Sequence, residues 1–161
     1  MTDALTQLRA RLAEINDLTN AAALLSWDQQ TYMPRGAVAA RAEQLATLSR
    51  LAHELFVDAA TGRLLDAAAP LAEQLPYDSD DASLVRVARR DYEQARRLPA
   101  DFVAELSRAS ATGHAAWEHA RARSDFAAFQ PHLERIVELV RRQAGYLGYA
   151  DHPYDALLDL Y

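Results

Sequence analysis

Leu5, Leu8, Leu12, Ile15, Ala22 and Leu25 recur three, four or seven residues apart and lay one apolar stripe along the first part of the chain. The spacing predicts a helix from about Thr2 or Asp3, either of which can cap it, to near Gln29. At about 1.5 Å per residue it would be roughly 40 Å long, a length suited to a lobe lying across a larger body. A second stripe, Val38, Ala42, Leu45, Leu48 or Ser49, Ala52 and Leu55, predicts a helix over about 37–56. Asp58 can cap a shorter helix from about Ala59, in which Pro70 either makes a kink or opens a new turn. Proline and clustered turn formers make the run Leu75 to Asp81 the main loop.

Ser79 or Asp80 then starts a fourth helix reaching about Arg97, with Leu84, Val85, Ala88, Tyr92 and Ala95 on its apolar face. Pro99 suits the first turn of a fifth helix ending near Arg123. Its inner face reads Phe102, Leu106, Ala109, Gly113, Ala116, Trp117 and Ala120. Gly113 costs about 1 kcal/mol against Ala inside a helix, so close approach of a neighbouring helix is expected there. Ser124 or Asp125 caps a sixth helix that turns Phe126, Phe129, Leu133, Ile136, Val137, Val140 and Ala144 inward, and Gly145 and Gly148 end it. Asp151 to Tyr161 reads as a turn and the start of another helix with no stop signal. No strand pattern, internal repeat or low-complexity linker interrupts this. The expected fold is all-α, a single domain over residues 1–161 built as a bundle of long antiparallel helical hairpins, about six helices in number.

The first two stripes are separated by a distinctive run. Trp27 and Asp28 close one helical pattern, and Tyr32-Met33-Pro34-Arg35-Gly36 breaks it before Val38 opens the next. Pro34 lacks an N–H and restricts Met33, while Gly36 tolerates dihedrals that other residues resist, so a helix-turn-helix corner is expected. Two readings of Trp27, Asp28 and Tyr32 follow. Either the aromatics fill the corner while Asp28 caps or pairs locally, for example with Arg41, or the corner forms a cleft rim or subunit contact.

The run Trp27-Asp28-Gln29-Gln30-Thr31-Tyr32-Met33-Pro34, then Ala40 to Leu48 and Ala52-His53-Glu54, resembles the amino-terminal region of the carboxypeptidase Taq family. The likeness continues through Arg89-Arg90-Asp91-Tyr92-Glu93, Arg97-Leu98-Pro99-Ala100, Phe129 to Glu134 and His152 to Leu158, in the family's order. Members are all-helical zinc metallocarboxypeptidases much longer than this chain. The resemblance implies an amino-terminal lobe that flanks the substrate cleft of the full enzyme and helps form its homodimer. The family holds zinc with a His-Glu-x-x-His helix and a downstream Glu. Here His53-Glu54 is followed by Leu55, Phe56 and Val57, so the motif is absent. Zinc is therefore expected only in the full-length enzyme, and no cofactor or catalytic residue is assigned to this chain.

Composition narrows the remaining classes. The 161 residues carry a net charge of −6, and half are hydrophobic, which describes a globular chain. Arg supplies every basic side chain. An acidic balance without basic clusters interleaved with aromatics argues against nucleic acid and anionic membrane surfaces. Absence of cysteine removes disulfides and thiolate metal sites. The amino terminus has no signal-peptide pattern and no stretch is long enough to span a membrane, so a cytoplasmic location is expected.

The histidines carry no metal motif. His114 and His119 are five apart, whereas two imidazoles share a helical face at a spacing of four. His53 sits where a cation suits a helix end, and His132 and His152 have no partner at a useful spacing. No nucleophile lies on a Gly-flanked turn and no phosphate loop is present. Arg86, Arg89, Arg90 and Arg97 crowd the fourth helix, either as a solvated face with local ion pairs or as a docking strip for an acidic partner. The partners expected are a second copy of the chain, as a homodimer, or a full-length relative onto which it docks.

Overall fold

The computed structural model describes residues 2–158, with no strand among them. Seven α-helices follow in order: α1 (Thr2–Thr31), α2 (Val38–Val57), α3 (Ala59–Ala72), α4 (Asp80–Ala95), α5 (Ala100–Arg123), α6 (Phe126–Leu147) and α7 (Pro153–Leu158). The continuation expected from Asp159 to Tyr161 lies outside the described residues, as do the side chains of Thr2 and Asp3, either of which is expected to cap α1.

Local chemistry sets the breaks. The amides of Tyr32 and Met33 both donate to the Asp28 carbonyl, at 3.0 and 2.9 Å, closing α1. Pro34 is extended, with φ −60° and ψ 139°, and hands the chain to a 3₁₀ turn over Arg35–Ala37 that runs into α2. Asp58 and Ser79 cap α3 and α4 by accepting from the amides of Ala60 and Ala82. Between the two alternatives at α6, Asp125 supplies the cap, its carboxylate taking the Ala128 amide at 3.1 Å, while Ser124 adopts the left-handed conformation that turns the chain.

Some boundaries depart from the sequence expectation. The fourth helix stops at Ala95, because the amides of Arg97 and Leu98 tighten onto the carbonyls of Gln94 and Ala95 before Pro99. Pro99 stands one residue before α5 with an extended backbone instead of within its first turn. Pro70 is accommodated inside α3, and Gly145 lies within α6, which ends at Gly148 with φ 78°.

Packing divides the interior into two clusters that share α1. Its first half places Leu8 against α3 and α4, where Leu65, Ala68, Val85, Ala88 and Tyr92 are buried. Phe56 meets the Tyr92 ring edge-on at 6.0 Å. Full burial of Leu8 and Leu65 contributes about 2 kcal/mol each. The second half of α1 brings Ala22 and Leu25 onto Ala42, Leu45 and Ala111 of α2 and α5. α6 then lies on the far side of α5, where Gly113 leaves room for Ile136. Three residues expected inside are exposed: Trp117, Phe126 and Val137, at 44%, 63% and 40%. The helical period marks an apolar arc without saying how many neighbours cover it.

Candidate functional site

The α1–α2 corner is tied by one side chain. Arg41, in the first turns of α2, places Nη2 2.6 Å from Asp28 Oδ2 and donates through Nη1 to the Leu25 carbonyl at 2.5 Å. Its Nε reaches Gln44 Oε1 at 3.1 Å, so all three nitrogens are engaged. The Arg41 side chain is mostly covered, which strengthens these contacts relative to an ion pair in water. Trp27 and Tyr32 do not fill the corner. They meet edge to face at 5.8 Å with 55% and 79% of their surface exposed, an aromatic pair on the outside of the bend.

Beside the corner runs a groove whose floor is α2 and whose walls are α1 and α5, the two helices that pack most heavily on α2. It comprises two clefts of about 480 and 450 Å³ that share Gln29, Gln30 and His114. The first is lined by small and hydroxyl side chains, among them Ser26, Ser107 and Ser110. The second, at the corner end, adds Arg35, Glu118, His119 and Arg123. Gln29 donates to the Ala111 carbonyl at 2.8 Å and links the two walls. Amide, hydroxyl and cationic groups of this kind can hydrogen-bond an extended polar ligand. Ser49 and Ser107 hydrogen-bond each other at 3.0 Å.

The arginines of the α4 region are occupied within the fold. Arg86 stacks 4.0 Å over the Tyr77 ring and donates to the Tyr77 carbonyl at 3.2 Å. Arg89 pairs with Asp66 of α3 at 2.6 Å, and Arg97 donates to the Leu147 carbonyl at the end of α6 at 2.5 Å. Arg90 is exposed on α4. The structure thus gives Arg86, Arg89 and Arg97 separate contacts.

Several long-range contacts had no signature in the sequence. His53 shares a hydrogen bond of 2.8 Å with the Leu98 carbonyl, fixing the α4–α5 link to α2. Arg108 of α5 grips Glu43 of α2, with Nη2 2.8 Å from Oε2. This hydrogen bond draws the Glu43 carboxyl below its ordinary pKa and raises that of Arg108. Glu105 binds both Arg135 and Arg142 of α6. Each joins residues far apart in the chain, where neither helical period nor local spacing carries information.

Among the described residues no group of three or more His, Asp or Glu side chains is placed to hold a metal ion. His114 packs against Trp117 with ring centres 5.8 Å apart. Nor does any helix reach the length and apolarity needed to cross a membrane, among the described residues.

Comparison with known proteins supplies the lineage. The family profile for Carboxypeptidase Taq (M32) metallopeptidase matches residues 7–161. Thermostable carboxypeptidase 1 of Pyrococcus furiosus is 36% identical over 159 residues, which cover 99% of this chain and 31% of that protein. Carboxypeptidase 1 of Bacillus subtilis is 33% identical over 150 residues, covering 93% and 30% respectively. The solved structure titled BsuCP superposes on 98% of this chain with a TM-score of 0.92 and 31% identity, using 31% of its own length. The Pyrococcus furiosus carboxypeptidase structure gives a TM-score of 0.75 at 36% identity, with 100% of this chain and 32% of that one covered. The chain therefore spans about 31% of the length of the relatives it matches. On a match running from residue 7 to 161, this chain belongs to the carboxypeptidase Taq metallopeptidase family.

Proposed function

We propose that this chain is the amino-terminal helical lobe of a carboxypeptidase Taq-type metallocarboxypeptidase and is not catalytic on its own. The whole enzyme would release C-terminal residues from peptides, with zinc held outside this lobe. The observation that carries the reading is surface out of proportion to mass. A compact monomer of 17.9 kDa exposes about 8000 Å², whereas this chain exposes 10004 Å². The excess, roughly 2000 Å², is more than a typical contact between domains of one chain buries. It fits a lobe whose relatives are about three times longer, given that it covers 31% of them.

In this role the groove between α1 and α5 contributes hydrogen-bonding groups to one wall of a substrate cleft, and Arg41 holds the corner that ends it. The test is a graft. This chain replaces the matching segment of Bacillus subtilis carboxypeptidase 1, and release of the terminal residue from a blocked dipeptide is measured. The lobe reading expects a folded, active graft. A graft that fails to fold, or folds without activity, contradicts it.

The same excess surface favours one second reading, a free-standing interaction module that self-associates or docks onto a full-length relative. Trp27 and Tyr32, exposed together at the corner, would then sit at the contact. Light scattering of the pure chain separates the two, since a stable dimer expected under the second reading doubles the mass.

A further inference from the structure

The corner end of the groove holds charges of both signs that the fold leaves unanswered. Arg35 belongs to the 3₁₀ turn leading into α2 and Glu118 to α5, and both line the cleft of about 450 Å³. Among the described residues neither side chain has a hydrogen bond or ion pair, and the two do not pair with each other. Elsewhere a guanidinium finds a carboxylate: Arg41 takes Asp28, Arg89 takes Asp66 and Arg108 takes Glu43. The cleft's other arginine, Arg123, is matched by Asp125, with Nη2 3.8 Å from Oδ2. With His119 neutral, one unmatched guanidinium and one unmatched carboxylate remain among the lining residues. Met33, Val38 and Ala115, all half-buried, add an apolar wall to the same space. No Arg, Asp or Glu lines the neighbouring cleft, so charge is confined to this end of the groove.

We infer that the corner cleft binds a free α-amino acid with an aliphatic side chain. Its carboxylate meets Arg35, its ammonium meets Glu118, and its side chain lies against Met33, Val38 and Ala115. Charge selects this occupant first. A plain anion satisfies Arg35 but is repelled by Glu118, and a plain cation does the reverse, whereas a dipolar ion answers both. A guanidinium also takes a carboxylate through two parallel N–H bonds, which fixes the ligand's orientation. Size agrees, since about 450 Å³ lies towards the small end of the roughly 300–1000 Å³ typical of small-molecule sites. The apolar wall favours an aliphatic side chain, which gains by leaving water. The choice of an amino acid over other dipolar ions rests on the lobe reading above, since the whole enzyme would release one such molecule at each turnover. The groove then carries a binding place for the released product beside the hydrogen-bonding groups offered to the peptide.

Two-dimensional amide NMR of the 161-residue chain reads the binding directly, with L-leucine, N-acetyl-L-leucine and L-leucinamide as probes. Leucine is expected to shift the amides near Arg35, Ala115 and Glu118, with half-saturation at about 1 mM or below. Each blocked form lacks one charge and should bind at least about tenfold more weakly. Arg35 and Glu118 are exposed, so replacing either leaves the fold in place. Arg35→Gln should make leucine no better a ligand than leucinamide, because the partner of the carboxylate is gone. Glu118→Gln should likewise make leucine no better than N-acetyl-leucine. Absence of a saturable shift with leucine overturns the inference. N-acetyl-leucine binding as tightly as leucine overturns it in favour of a simple anion site, and leucinamide doing so overturns it in favour of a cation site. The graft described above keeps the two readings apart. An inactive graft of a chain that binds leucine in this pattern sinks the lobe reading and leaves the site standing; an active graft of a chain that does not bind it sinks the site alone.

Discussion

A methyl group on residue 62 would stand 2.5 Å from the Tyr92 hydroxyl oxygen and 3.1 Å from the ring carbon that bears it. Tyr92 is buried and held edge-on by Phe56, so its ring has little room to yield. Gly62→Ala is therefore expected to destabilise the chain by about 1–2 kcal/mol, overpacking outweighing the gain in helix propensity. Denaturant unfolding should show most of that loss recovered when Tyr92→Phe is added, because the nearest atom is then gone. Gly113 looks similar but meets only the end of the flexible Ile136 side chain, at 2.7 Å, so the neighbour can move. The sequence pointed to Gly113 through its place on the inner face of a helix. It was silent on Gly62, because the atom that requires it lies thirty residues away on another helix.

Glu43 supplies a prediction in pH. Its carboxyl is drawn below the ordinary value by the hydrogen bond from Arg108, so the folded state binds that proton more weakly than the unfolded one. Whatever this pair adds to stability is present above the unfolded carboxylate pKa and is lost as pH falls through the folded one. A carbon-detected NMR titration should find the Glu43 midpoint below that of a model glutamate, and Arg108→Gln should return it to the ordinary range. An unchanged midpoint in that variant would remove Arg108 as the cause.

At the level of elements, what is local in sequence was legible and what depends on neighbours was not. The caps at Asp58, Ser79 and Asp125 each act over two or three residues, a distance at which side-chain type alone decides. Asp125→Ala should accordingly cost about 1 kcal/mol, read as a lower unfolding midpoint with an unchanged denaturant slope. The corner was legible for the same reason, through Pro34 and the pairing of Asp28 with Arg41 across thirteen residues. The outer aromatics were not. Trp117 and Phe126 fall on apolar arcs and are assigned to a core by period, yet both lie on the surface, as do Trp27 and Tyr32 at the corner, for which the sequence leaves two readings open. Burial is a property of the assembled helices. Where two helices share a third as floor, as α1 and α5 share α2, a groove opens that no single helix's pattern describes.

For the molecule as a whole, all-helical architecture and family were legible from helical period and from the corner run respectively. The candidate site was legible only at its edge: Asp28 and Arg41 meet, whereas the groove lined by Gln29, Gln30 and His114 came from packing. The surface excess belongs to this scale too, since it sums over every helix. Two small clusters joined by α1 and the packing of Leu139, Ala144 and Leu147 of α6 make up the interior. The central claim is that this lobe carries no peptide-cleaving centre of its own. Its most direct test is release of the C-terminal residue from a blocked dipeptide by the purified 161-residue chain supplied with stoichiometric zinc. The account predicts no release above the rate of zinc alone; sustained turnover, lost when the metal is chelated and restored when it is returned, would contradict it.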